Sequence, residues 1–141
     1  FLRYREKNTI KKVRAKFSKM GKYEIFREIY LKKLWSPESV KFDHKFYSGI
    51  GSYLPELIDN YIFEIKKFLL SLSKKPDVVD LGCGDFVIGS KLRKFCNNYI
   101  AVDIFDELID YNKKKYQDLN VDFRTLDITS DKLPSGEVCF V

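Results

Sequence analysis

Apolar residues recur along this chain with two different periods, and the switches between them mark out its elements. Leu54, Leu57, Ile58, Tyr61, Ile62, Ile65, Phe68, Leu69 and Leu72 fall at i, i+3, i+4 and i+7. That spacing predicts a helix over 54–72 with one apolar face laid on a sheet. Ser52 is its expected N-cap, and Pro55 suits the first turn, where no intrahelical donor is lost. Tyr23, Phe26, Ile29, Tyr30 and Leu34 predict an earlier helix over 22–35, stopped by Ser36-Pro37, with its rings packed as core. Short apolar runs at 77–80, 99–103, 121–126 and 138–141 read as strands, and 87–96 and 106–116 as the helices between them. Strands and helices alternating in this order predict a parallel, right-handed α/β sheet.

Composition adds limits. At 141 residues, 45% hydrophobic and 16% aromatic, the chain has enough apolar surface for a core and is not a disordered segment. No stretch approaches the ~20 apolar residues of a membrane span, and residues 1–33 are too charged for a signal peptide. The chain begins at Phe1 and stops inside an apolar run, so it reads as a fragment of a longer protein. Cys83, Cys96 and Cys139 have no metal-ligand spacing and suit reduced thiols in a cytoplasmic protein. His44 lacks a Cys or Asp partner at ligand spacing and is expected in a loop or on the surface.

Charge is unevenly spread. Up to Ser36 there are twelve Lys and Arg against three Glu, and the remainder carries fourteen against seventeen acids, which together give the net +6. A basic arm of this kind can bind nucleic acid or an anionic membrane surface. A solvated helix or connector is the simpler reading, because Tyr4 and Phe17 alone make no platform for base stacking.

The chemistry concentrates at 78–86, where an apolar run ends in Asp80 and breaks into Gly82-Cys83-Gly84 before the next helix. Strand, glycine turn and helix in this order open many nucleotide-binding α/β sheets. Glycine at 82 and 84 allows positive φ and lets a ligand lie against bare backbone, facing the amides of the helix start. A dinucleotide fingerprint would put a third glycine where Val87 stands, and it does not call for Asp80. Asp103 ends the second strand about twenty residues after the turn, the position of a carboxylate that accepts both hydroxyls of a ribose. Asp127 ends the third strand, where it is placed to accept from an adenine amine. Phe46, Tyr47, Gly49, Gly51 and Tyr53 suggest that residues 38–53 form a loop folded over a neighbour.

Asp80-Leu81-Gly82-Cys83-Gly84-Asp85-Phe86, Tyr99-Ile100-Ala101-Val102-Asp103-Ile104 and Leu126-Asp127-Ile128 resemble the first three cofactor motifs of class I S-adenosyl-L-methionine-dependent methyltransferases. Ile29-Tyr30…Trp35 followed by Tyr47-Ser48-Gly49-Ile50-Gly51-Ser52 is similar to the lead-in of bacterial members associated with polysaccharide or small-metabolite modification. The resemblance runs from Lys22 to the end. It implies a Rossmann-like parallel sheet with flanking helices, truncated after about the fourth strand and preceded by N-terminal helices. Residues 1–36 would be a basic helical arm, 37–53 a loop beside the cofactor, and 54–141 the incomplete methyltransferase domain.

By the same resemblance Asp80, Gly82, Cys83 and Gly84 hold the methionine end and Asp103 takes the ribose. Ile104 packs on adenine, Asp127 reaches its amine and Ile128 contacts the ring, while Tyr47, Ser48 and Gly51 close the site. The implied partner is a small-molecule or saccharide acceptor, with nucleic acid less favoured and no metal. Catalysis would be chiefly alignment, because the sulfonium is already electrophilic. Relatives often carry a tryptophan soon after the glycine turn, where Val87 and Ile88 stand here. An NAD(P)-dependent oxidoreductase and a non-catalytic binding module worked by the basic arm are the other two classes.

Overall fold

The computed structural model describes residues 14–35 and 45–141. The expected basic arm before residue 14, the Ser36-Pro37 stop, Phe42 and His44 lie outside the described residues. Four strands, β1 (Val78–Leu81), β2 (Tyr99–Asp103), β3 (Asp122–Thr125) and β4 (Val138–Phe140), form one parallel sheet in the order β3-β2-β1-β4. All four apolar runs therefore became strands, and all pair in parallel as their alternation with helices requires. β1 is the point where the strand order reverses, with β2 on one side and β4 on the other. Open α/β sheets bind ligands outside the carboxyl ends of the strands at such a point. Val78 is in register with Tyr99 and with Val138, so Asp80 and Asp103 emerge at the same edge of the sheet.

Among the described residues the sheet is accompanied by helices α1 (Lys22–Leu31), α2 (Pro55–Ser71), α3 (Val87–Leu92) and α4 (Asp106–Lys115), and residues 14–17 are helical as well. Helix α1 stops four residues short of the expected Trp35. Lys33 takes a left-handed φ of 50°, and the Leu34 and Lys33 amides donate back to the Ile29 and Tyr30 carbonyls, which closes the helix. The expected Ser52 cap of α2 does not form, since Ser52 belongs to a 3₁₀ turn over Ile50–Ser52 and Leu54 stands at the cap without a side-chain bond. Pro55 does occupy the first turn. Helix α3 is shorter than 87–96 because the chain tightens into a 3₁₀ turn at Arg93–Phe95. The Arg93 guanidinium ties that turn to the Leu119, Asn120 and Cys96 carbonyls at 2.9–3.2 Å.

The main core joins Leu69 of α2, Val78, Phe86, Leu92, Tyr99, Ala101, Ile109, Phe123 and Phe140. Helix α2 contributes a stripe of Ile58, Ile62, Ile65 and Leu69, spaced four, three and four apart. Its other large apolar residues are not covered: Leu57, Phe63, Phe68 and Leu70 are each about half exposed, 47–62%. The apolar arc of α2 is thus wider than the surface it meets. A second cluster, Tyr30, Phe46, Phe105 and Leu108, binds α1 and the 45–53 loop to α4, with Tyr30 stacked on Phe105 at 5.6 Å. No helix of the described residues is long and apolar enough to cross a membrane.

Candidate functional site

A cavity of about 530 Å³ opens at the carboxyl ends of the strands. It is bordered by Asp80, Gly82, Cys83, Gly84, Asp103, Ile104, Asp127 and Ile128, residues from three separate strand ends that the chain order alone keeps far apart. Gly82 has φ +79 and nothing within 4 Å of where a Cβ would stand, so the backbone there faces open space. Gly84 differs. A Cβ on it would meet Ser48 Oγ at 2.3 Å, because the 45–53 loop rests directly on the turn. Ser48 and Ser52 line the cavity. Tyr47 is buried behind them against Tyr53, with ring centroids 4.7 Å apart, and Gly51 is exposed on the 3₁₀ turn. Of the three residues expected to close the site, only Ser48 borders it, since the 3₁₀ turn carries Gly51 outward.

Asp103 is 6% exposed and holds the turn in shape. One carboxylate oxygen accepts from the Gly84 amide at 3.1 Å and the other from the Phe105 amide at 3.2 Å. A carboxylate has about four acceptor sites, so these bonds leave it capacity for a vicinal diol. Burial pushes its carboxyl above the ordinary aspartate range, against the pull of these amides. Asp80 accepts from the Tyr99 hydroxyl at 3.0 Å. Desolvation raises its carboxyl to about 6, the Tyr99 bond opposing and the Asp103 charge adding. Such a group answers to a cationic partner: a positive charge at hydrogen-bond distance offsets the burial.

Asp127 lines the cavity, but its carboxylate is already engaged. Lys22 Nζ donates to it at 2.8 Å, the Thr129 amide and hydroxyl at 2.9 and 2.7 Å, and Lys22 also bonds the Thr129 hydroxyl. The Lys22 bond foremost, then those of Thr129, hold its carboxyl well below the usual range. Tertiary structure thus brings α1 to Asp127, a contact between residues 105 positions apart.

Sequence reasoning passed over several residues that build this site. Tyr30 and Phe26, expected as core, also line the cavity with Trp35. The Tyr30 hydroxyl shares a hydrogen bond with Ser48, and burial raises it far above an ordinary phenol. Asn112, without any exposure, donates to the Gly84 carbonyl at 2.7 Å and fixes the turn from below. Asp85 is 2% exposed and bonds the loop: it accepts from Tyr53 Oη at 2.5 Å, the Ser48 amide at 3.2 Å and the Val87 amide at 3.4 Å. Its own amide, two residues before α3, donates to Ser48 Oγ at 2.7 Å and so serves the loop. An acid directly behind Gly-x-Gly was the available signal. Asp85→Ala leaves these donors without their acceptor and is expected to cost about 1–2 kcal/mol of stability in urea unfolding. Asp85→Asn, which keeps one oxygen, should lose less.

Among the described residues no group of three His, Cys, Asp or Glu is arranged to hold a metal. The donor set fits a nucleoside carrying an amino acid. One acid can accept a diol and another can pair with an ammonium, bare glycine backbone lies beside them, and Ile104 and Ile128 offer apolar surface. The volume falls within the ~300–1,000 Å³ of ligand pockets.

The comparisons with known proteins agree with that geometry. The family described as a methyltransferase domain matches residues 79–141. Among solved structures, magnesium protoporphyrin IX methyltransferase from Synechocystis PCC 6803 with bound SAH is 14% identical, with a TM-score of 0.57 over 84% of this chain and 57% of that one. The same enzyme with bound SAM gives 16%, 0.56, 85% and 62%. A dimethyladenosine transferase from Plasmodium falciparum is 24% identical, with a TM-score of 0.50 over 61% of this chain and 30% of that one. The chain spans 30–62% of the length of these three structures. No curated protein matches it in sequence. Residues 79–141 therefore match the family described as a methyltransferase domain, and the chain shares the Rossmann-like fold of these structures.

Proposed function

We propose that the chain binds S-adenosylmethionine and belongs to an enzyme that transfers its methyl group to a small-molecule or saccharide acceptor, nucleic acid being the less favoured partner. One observation carries this reading: Asp80 and Asp103, on neighbouring strands, flank the open backbone of Gly82 at one end of a single cavity. Asp80 would meet the ammonium of the methionine part, Asp103 the ribose hydroxyls, and Ile104 and Ile128 the adenine faces. Bound there, the cofactor supplies a methyl group on a sulfonium, an electrophile that needs alignment more than activation. The residues of this chain bind, orient and exclude water; among the described residues none is positioned as an evident general base. The NAD(P) reading is less supported, because Val87 replaces the glycine that a dinucleotide fingerprint requires. Free thiols at Cys83, Cys96 and Cys139 support a cytoplasmic location.

Calorimetric titration with S-adenosylhomocysteine, with NAD as control, tests the proposal. Heat with the first and none with the second is the expected result; the converse would replace it with the oxidoreductase. The pH dependence sharpens the test. The Asp80 carboxyl stands at about 6, so it is ionised above that value and takes up a proton below it. An ammonium partner requires the carboxylate, so affinity is about tenfold weaker at pH 5 than at pH 7. Asp80→Asn should bind more weakly and lose this dependence.

A further inference from the structure

The wall of the cavity facing the glycine turn is one face of α1. Lys22, Phe26 and Tyr30 stand at i, i+4 and i+8, all bordering the cavity, and Trp35 extends the row beyond the helix end. The rings meet edge to face, Phe26 with Trp35 at 6.2 Å and Tyr30 with Trp35 at 5.7 Å. Nothing in the cofactor reading uses this aromatic wall, which is a surface for another flat ring.

Charge narrows what such a ring can carry. The charged residues described along the cavity are Asp80, Asp85, Asp103, Asp127 and Lys22. Lys22 is bound to Asp127 and Thr129, so among these residues no cation is left for an anionic group. A bound cofactor adds an ammonium, a sulfonium and a carboxylate, net +1, against a lining of net −3, and the balance stays negative. A phosphate or carboxylate on the acceptor would be desolvated among like charges without a counter-ion.

We infer that the acceptor is a flat aromatic small molecule without negative charge, received against Phe26 and Trp35; this rests on the cofactor reading above. Among the described residues, nothing on this wall counters the charge of a phosphorylated sugar or a nucleic acid. The chain holds a single tryptophan, Trp35, so the wall reports its own occupancy.

In the presence of saturating S-adenosylhomocysteine, Trp35 emission is followed while p-cresol, phenyl phosphate or a short single-stranded RNA is added. Saturable quenching by p-cresol is expected, with phenyl phosphate and RNA at least about tenfold weaker. Phe26→Lys, which puts a cation on the wall at a half-exposed helix position, should reverse the order of the two small probes. No quenching by p-cresol, equal or tighter binding of phenyl phosphate or RNA, or an unchanged order in Phe26→Lys overturns the acceptor class. Absence of calorimetric heat with S-adenosylhomocysteine in the unaltered chain overturns the cofactor reading instead.

Discussion

Asp103→Ala is expected to weaken S-adenosylhomocysteine binding by at least about 100-fold. A carboxylate that accepts two ribose hydroxyls makes two hydrogen bonds to a charged group, each contributing about 1.5–3 kcal/mol. The loss has a second source in the protein itself. Asp103 also accepts from the Gly84 and Phe105 amides, at 3.1 and 3.2 Å, so its removal leaves both donors buried without partners and lets the glycine turn drift. Asp103→Asn separates the two effects. The amide keeps one acceptor oxygen and nearly the same shape, so one of the two amide donors keeps its partner and stability should fall less than in Asp103→Ala, while the charge-assisted bonds to the ribose go. Calorimetric affinity read beside urea midpoints checks this. Affinity of Asp103→Asn equal to the parent's would remove Asp103 from the ribose site.

Gly89→Ala is expected to destabilise the fold by about 3 kcal/mol, the upper end of what overpacking a core costs. A Cβ on Gly89 would meet Phe86 Cε2 at 2.2 Å and two further ring atoms at 2.6 and 2.9 Å. Phe86 cannot yield easily. It is 1% exposed, packs edge to face on Tyr99, Tyr116 and Phe123, and takes a φ of +60 as the residue before α3. The contact is between α3 and the ring that anchors it, so the helix start behind the glycine turn would shift with it. Urea unfolding measures the loss, and a parallel drop in S-adenosylhomocysteine affinity would show that the turn moved. In a dinucleotide fingerprint the third glycine allows close helix packing. Here Gly89, two residues beyond Val87, meets that need, and the spacing that set the fingerprint aside has a packing reason.

The parallel sheet, its four strands and most helices were legible in the chain because each element carries its own period. Asp80, Gly82, Gly84 and Asp103 were legible because strand, glycine turn and strand-terminal acid are local patterns whose geometry follows from backbone chemistry. Positions whose role depends on distant partners were not. Phe26 and Tyr30 have a helical spacing that fits core packing equally well, and only the approach of α1 to the glycine turn turned that face toward a cavity. Asp127 reads as an acid at a strand end, and the lysine that engages it comes from 105 residues earlier. Gly51 seemed as suited to close the site as Ser48 until a 3₁₀ turn carried it outward.

By itself, then, the sequence determined which segments are strands and helices, that they form a parallel α/β sheet, and which short motif lines the cavity at the strand ends. Hydrophobic period and glycine geometry act over a few residues and need no partner. Tertiary structure alone decided which side chains share the cavity and how their charges balance. It set Asp85 to bind the 45–53 loop, Asp103 to brace the glycine turn, and α1 to supply an aromatic wall. Those outcomes depend on which buried donors find acceptors and which faces remain to be covered once the sheet has formed, and no local spacing records them.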